Sequence, residues 1–175
     1  MASEVSADAI VVYRSDSGES DRRLTLVTDE FGKIDVLARG ARKAGSRLAG
    51  SSEPMVRAVF HWAVGRNRRF VTQVQPMTSF PTIRSDYGRT LAGVGLIELF
   101  RTALPYESPH EGLFSLLADS LAHLEKAEAA SPTMVWALAK FLEAEGVHPS
   151  WLTCTVTGQQ VSENPAYVSP LAGGY

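Results

Sequence analysis

Arg39, Arg42, Lys43 and Arg47 fall in the nine-residue run RGARKAGSR, which holds no acid, and Arg66, Arg68 and Arg69 follow in GRNRR. The run carries four cations and no acid. Their natural partner is an anion, and the planar arginine fork suits phosphate oxygens. Gly40 and Gly45 would let backbone amides approach phosphates too. Seven contacts of this kind predict steep salt dependence, because each neutralised phosphate releases condensed counterion. The plain alternative is a solvated basic face with no partner.

Other chemistry is thin. Glu19 and Asp21 could pair as carboxylates, but no histidine or second acidic cluster stands at supporting spacing, so the pair reads as turn capping. The four histidines are scattered, and no GxSxG, P-loop or HExxH pattern occurs. The expectation is no enzyme, no catalytic residue and no cofactor. Cys154 is the one cysteine, which excludes an internal disulfide and a cysteine-rich zinc site built by this chain. Tyr13, Phe31, Phe60, His61, Trp62 and Phe70 are the candidate base-stacking groups. Phe60 and Trp62 share a strand face with Val56 and Ala58 and are assigned to the core. His61, on the opposite face, is the stacking candidate.

These groups need elements to hold them. Ala9 to Arg14 reads as a first strand ended by Ser15-Asp16-Ser17-Gly18. Leu24 to Val27 and Ile34 to Ala38 alternate around Asp29-Glu30-Phe31-Gly32, a hairpin whose glycine can take positive φ. Val56 to Val64 and Phe70 to Gln75 supply two more strands, joined by the second basic turn. Five short strands in about seventy-five residues suit a small closed barrel, with OB and SH3-like forms both open on periodicity alone. The basic run is too polar and glycine-rich to be core.

After Pro76 and Pro81 the period changes to that of helices. One helix is predicted from about Ile83 to Ala103, central and apolar on most sides through Leu91, Val94, Ile97 and Phe100. Ser108-Pro109-His110-Glu111 reads as a capping box opening a second, with Leu113, Leu116, Leu117, Leu121 and Leu124 as its stripe. Ser131-Pro132 starts a third with the stripe Val135, Leu138 and Leu142, stopped by Gly146 and Pro149.

Composition agrees with a folded chain: 175 residues, 45% hydrophobic, 21% charged, net charge −2. The charge is uneven. Residues 1–75 carry twelve bases against nine acids, residues 76–175 five against ten, and from Arg39 to Arg69 eight bases face only Glu53. One-signed charge on one part of a chain speaks to its partner. The N-terminal apolar run is too short for a signal peptide or membrane span, so no membrane partner is expected and the expected location is cytoplasmic.

Gly18-Glu19-Ser20-Asp21, Thr28, Gly32-Lys33, Ala38-Arg39-Gly40-Ala41-Arg42, Ser46-Arg47-Leu48 and Glu53-Pro54 resemble, in order and spacing, the N-terminal signature of the RecO family of bacterial recombination mediators and DNA repair proteins. The resemblance implies an α+β fold: an N-terminal five-stranded OB-fold barrel (residues 1–78), a helical domain (79–147) and a degenerate, truncated zinc-finger-like segment (148–175). In that last part Thr157 stands where a second cysteine would be, and Tyr167-Val168-Ser169-Pro170-Leu171-Ala172-Gly173-Gly174 resembles the segment before a second cysteine pair, so no metal site is carried over. The resemblance further implies binding of single- and double-stranded DNA through Arg39, Arg42, Lys43, Arg47, Arg66, Arg68, Arg69 and His61. It also implies contact with RecR and single-strand-binding protein, strand annealing by a mobile cationic loop, recombinase loading in a RecF-type pathway, and nucleoid association. The alternative class is an adaptor whose helices dock a protein while the basic barrel is incidental.

Overall fold

The computed structural model describes residues 4–66, 68–149, 152–161, 169 and 171. Five strands come first: β1 (Glu4–Ser17), β2 (Asp21–Thr28), β3 (Gly32–Ala38), β4 (Arg57–Val64) and β5 (Arg69–Thr78), with a one-turn helix α1 (Leu48–Ser51) between β3 and β4. They close into a barrel in the order β1-β2-β3-β5-β4. This is the expected OB-fold, with longer first and fifth strands than alternation alone suggests. All neighbours are antiparallel except β3 and β5, which run parallel and pair at Leu37 and Phe70.

β1 is long because it serves two partners. Glu4 to Ile10 pair with β4, Ala9 to Ser17 pair with β2, and the register shifts between Val11 and Tyr13. At that bend Val11 exchanges backbone hydrogen bonds with the segment before β4, its N–H donating to Val56 and its carbonyl accepting from Met55. Side chains alternate across a strand, and here both faces are covered. Ala9 and Val11 join Leu24, Leu26, Ile34, Val36, Phe60 and Trp62 inside the barrel. Ile10 and Val12, with Val27, join a second core under the helices. Phe60 and Trp62 are 0% and 1% exposed, the core positions expected of them.

The second core is built by α2 (Pro81–Ser85), α3 (Tyr87–Ala103), α4 (Leu113–Lys126) and α5 (Ala130–Ala144). Phe100, Leu117, Leu121 and Phe141 fill it, with the Phe100 and Phe141 rings edge to face at 5.1 Å. No helix among the described residues is long and apolar enough to cross a membrane.

Four helical expectations need correction. The first helix is two: Asp86 is extended, and its carboxylate caps α3 by accepting from the Arg89 N–H at 2.8 Å, so Ile83 belongs to α2. On α3, Leu91 and Val94 point outward at 61% and 46% exposure. The inner face is instead Ala92, Gly93, Leu96, Ile97 and Phe100. Gly93 lets α3 lie against Met55 and Ile83, where a Cβ would collide with both.

The capping box at Ser108 does not form. α4 starts at Leu113 behind Gly112, which is left-handed at φ 79, and no side chain caps it. The segment before it is recruited by β3: Tyr106 bridges Lys33, and the Glu107 N–H donates to the Lys33 carbonyl at 2.9 Å. On α5 the inward stripe is Thr133, Ala137 and Phe141, while Val135 and Leu138 face out. The aromatic contact with Phe100 fixes which side turns in, and the small Ala137 lets the helix approach. Gly146 (φ 70) ends α5 as expected, with the Gly146 and Val147 N–H groups returning to Glu143 and Leu142.

Polar contacts fasten barrel to helices. Lys33, 6% exposed, donates through Nζ to the Arg101 carbonyl at 2.7 Å, in the last turn of α3 where carbonyls lack helical partners. Burial, and then the neighbouring Arg101 charge, pull its ammonium below the usual lysine range. Arg57 forks onto Asp8 at 2.7 and 3.1 Å and lies over the Phe114 ring of α4.

Near the C-terminus, Thr153 bridges Gln160 and the Gly158 N–H returns to the Cys154 carbonyl. The Thr157 hydroxyl, with backbone amides of Thr157 and Val156, holds the Cys154 thiol below its ordinary range. The second zinc-finger-like stretch, 167–174, lies outside the described residues apart from Ser169 and Leu171.

Gly32 closes the β2–β3 hairpin at φ 64, and a Cβ there would run into the backbone of Ser108 and Pro109. Gly32→Ala therefore suffers twice, from left-handed strain and from a backbone neighbour that cannot step aside. Urea unfolding is expected to show a loss of at least about 2 kcal/mol.

Candidate nucleic-acid interface

The first basic loop leaves β3 at Arg39 and is anchored in its middle. Ala41 is 0% exposed and packs into the barrel core, contrary to the expectation that no part of this run is core. Gly40 and Gly45 take left-handed backbone at φ 65 and 74, which lets the chain reverse twice. The Asp21 carboxylate accepts from the Gly40 N–H at 2.8 Å. That hydrogen bond, helped by Ser20 and the Arg39 and Lys43 charges and opposed by partial burial, holds Asp21 below the usual carboxylate range. Asp21 is thus the cap that its position suggested.

Arg42 is largely occupied: its N–H donates to Ser20, and its guanidinium donates to Gly18 and pairs with Asp16 at 3.3 Å. The far end of the loop is held by Arg22, which donates to Ala49, Ser52 and Glu53, while Arg14 takes the other oxygen of Glu53 at 3.3 Å. The loop is therefore pinned over residues 40–42 and again at 49–53 rather than free along its whole length. Lys43 and Arg47 are exposed, and their side chains are in neither a hydrogen bond nor an ion pair among the described residues.

The second basic turn joins β4 to β5. The Gly65 N–H donates to the Arg68 carbonyl at 2.8 Å, and a Cβ on Gly65 would press on the Phe70 ring. Arg66 and Arg68 are exposed; Arg69 pairs with Glu107 at 2.8 Å. Arg39, from the first loop, lies over the Phe70 ring at 4.0 Å. Phe70 is therefore where the two loops meet, and a guanidinium on an aromatic face leaves its edge N–H groups free for an anion.

Arg39, Arg66, Arg68 and Arg69 thus gather at the start of β5. Arg47 lies near its far end, lining a hollow with Pro76, Met77 and Thr78. A ten-residue strand is about 30 Å long, so the cations trace an arc and not a single patch. Thr72, Gln73 and Gln75 are exposed between its ends.

His61 sits on β4 opposite Ser6 and Gln73, half-buried, with Nε2 out of contact with solvent and unpartnered among the described residues. Phe31 stands edge-on to Trp62 at 5.4 Å, and the exposed Tyr13 lies under the Arg101 guanidinium.

A cavity of about 220 Å³ opens beside the Leu37–Phe70 pairing, lined by Ser17, Arg23, Asp35, Val36, Leu37, Arg68 and Arg69. Arg23 is the group that motif reading passed over. Its signal was in β2, where alternation against the buried Leu24 turns Arg23 outward. Among the described residues no group of three histidines, cysteines or acids could hold a metal.

Two family models cover the chain: recombination protein O N terminal over residues 1–80 and recombination protein O C terminal over residues 84–174. Similar curated proteins each carry the name DNA repair protein RecO. That of Roseiflexus sp. (strain RS-1) is 35% identical over 167 residues, 95% of this chain and 59% of its own length. That of Desulfitobacterium hafniense (strain DSM 10664 / DCB-2) is 35% identical over 168 residues, 96% and 61% of the two chains. That of Myxococcus xanthus (strain DK1622) is 31% identical, with 91% and 66% covered. The chain spans about 60% of the length of the first two.

The Asp21–Gly40 bond ties loop order to acid titration. A folded pKa below the ordinary 3.8 means the contact persists to pH 3.8 and fades as pH falls through the depressed value. NMR titration of the Gly40 amide proton is expected to show a midpoint below 3.8. The transition disappears in Asp21→Ala.

Proposed function

Because this chain belongs to the RecO family, we propose that it is a DNA repair and recombination mediator, binding single- and double-stranded DNA through the basic loops of its barrel. The observation that carries this reading is Arg39 stacked on Phe70, which joins the two cation-rich loops at one end of β5. Arg39, Lys43, Arg47, Arg66 and Arg68 contact phosphates. Arg42 orients the loop through Asp16 and Gly18, Arg69 serves once released from Glu107, and His61 lends a polar edge on β4. Sequence-tolerant binding follows from contacts to the backbone.

Annealing and recombinase loading in a RecF-type pathway are part of the same proposal. A fixed array of cations screens the repulsion between two phosphate backbones without reading bases. No step requires a catalytic group, a cofactor or a metal. The chain works in the cytoplasm, with the nucleoid.

The division of labour is proposed as residues 1–78 for DNA, 79–147 for proteins and 148–175 as a remnant without metal. Single-strand-binding protein and RecR are the proposed protein partners. Tyr87, Leu91, Val135 and Leu138 are exposed apolar side chains on α3 and α5, in the half where acids outnumber bases, and they favour docking there. The same observation supports the alternative of a pure adaptor, which differs by binding no DNA.

Filter binding of single-stranded DNA at two salt concentrations separates the readings. Reversing Lys43, Arg47, Arg66 and Arg68 to Glu leaves the Arg42 and Arg22 anchors intact. It is expected to cut affinity roughly a hundredfold at low salt and to flatten the log K against log salt slope by about three units. Affinity within twofold of the parent would remove these loops as the site, and no measurable binding by the parent at either salt concentration would leave only the adaptor.

Leu91→Glu and Val135→Glu, both on exposed positions, are expected to weaken capture of single-strand-binding protein about tenfold or more. DNA affinity should be unchanged. Pull-down and filter binding on the same preparations check both halves.

A further inference from the structure

The cavity beside the Leu37–Phe70 pairing concentrates charge that the fold itself does not consume. β3 and β5 pair in register at that one parallel position, and beside it opens a notch where Arg23 from β2, Arg68 from the second basic turn and Arg69 from β5 converge. One carboxylate lines it, Asp35, and this is engaged elsewhere: it accepts from the Thr25 hydroxyl at 2.8 Å and from the Tyr106 hydroxyl at 3.4 Å. The Arg23 side chain, exposed on β2, makes no hydrogen bond or ion pair among the described residues.

Arg69 is the exception, because Glu107 reaches it from the helical half of the chain. Glu107 does not arrive there by chance rotation of a loose loop. Its backbone is left-handed at φ 56, a conformation that residues with a Cβ rarely adopt without being held. Its N–H is tied to the Lys33 carbonyl, and Lys33 in turn grips the end of α3 and lies under the Tyr106 ring. A strained backbone, held on two sides, thus delivers a carboxylate to a guanidinium that would otherwise face the cavity.

We propose that this cavity is a phosphate subsite, with Arg23, Arg68 and Arg69 as its cationic walls and Glu107 as its resident competitor. A carboxylate presents two oxygens to the arginine fork much as a phosphate does. The incoming anion therefore takes over Arg69, and Glu107, 63% exposed, swings to solvent. Arg23 becomes a phosphate-contacting residue at the edge of the barrel. The ligand chemistry is a phosphate group. It comes from a nucleic-acid backbone, in which case the inference rests on the reading above, or from free phosphate or pyrophosphate.

The test uses the full chain and two probes, an oligothymidylate of about twenty residues and inorganic pyrophosphate. Glu107→Gln is expected to bind the oligonucleotide about three- to tenfold tighter, with the salt slope steeper by about 0.7, one more phosphate contact. Arg23→Ala is expected to weaken binding severalfold and Arg23→Lys to restore most of it. Thermal melting is followed for each variant, and Glu107→Ala supplies the same loss of charge should glutamine unsettle the loop.

Oligonucleotide binding that none of these changes moves by more than twofold overturns the subsite and leaves the DNA reading standing. A chain that ignores the oligonucleotide but binds pyrophosphate, more tightly in Glu107→Gln and less in Arg23→Ala, keeps the subsite and overturns the DNA reading. Binding of neither probe by the parent or Glu107→Gln removes both.

Discussion

Four consecutive residues, Ala9 to Val12, are all at most 2% exposed, and the rest of the molecule is arranged to make that possible. A strand buried on one face needs one layer against it; a strand buried on both needs two. Ala9 and Val11 require the barrel to close, and Ile10 and Val12 require something outside it. Each large aliphatic side chain contributes on the order of 1.5–3 kcal/mol when fully buried. The helices are therefore not an appendage to a finished barrel, because each half alone would leave the apolar side chains of this shared core exposed.

The polar fastenings follow the same line of contact. Lys33 caps the end of α3, Arg57 couples Asp8 to the ring of Phe114, and Tyr106 to Ser108 lie along β3. Isolated surface ion pairs add little stability. These sit at the margin of a large apolar contact, where they fix relative orientation. Because the loop after α3 carries Glu107, that orientation also sets the charge state of the basic edge.

What alternation governs was legible in the chain. Leu24 to Val27, Ile34 to Ala38 and Val56 to Val64 each keep one face inward, and a period of two leaves little freedom in a closed barrel. Helix faces were harder. α5 carries enough apolar residues that two stripes compete, and the decision rests on Phe141 finding Phe100 forty-one positions away in the chain. The capping pattern at Ser108 lost to β3, a competitor that no local window contains. In the site, loops dense in arginine announced themselves, whereas Arg23 and Glu107 depend on the β3–β5 notch and on a turn held by Lys33. Both are products of tertiary contact.

The burial of Ala41 has a consequence in conformational entropy. A nine-residue loop free to wander would lose about 1–2 kcal/mol for each residue ordered on a ligand, and that loss would subtract directly from affinity. Here Gly40, Ala41 and Arg42 are already held by Asp21, the barrel core and Asp16. The loop is divided into short arcs whose shape is settled before any partner arrives. Arg39 and Arg42 are presented at preset positions, and the cost of ordering this part of the backbone falls on the folding of the barrel, not on the moment of contact.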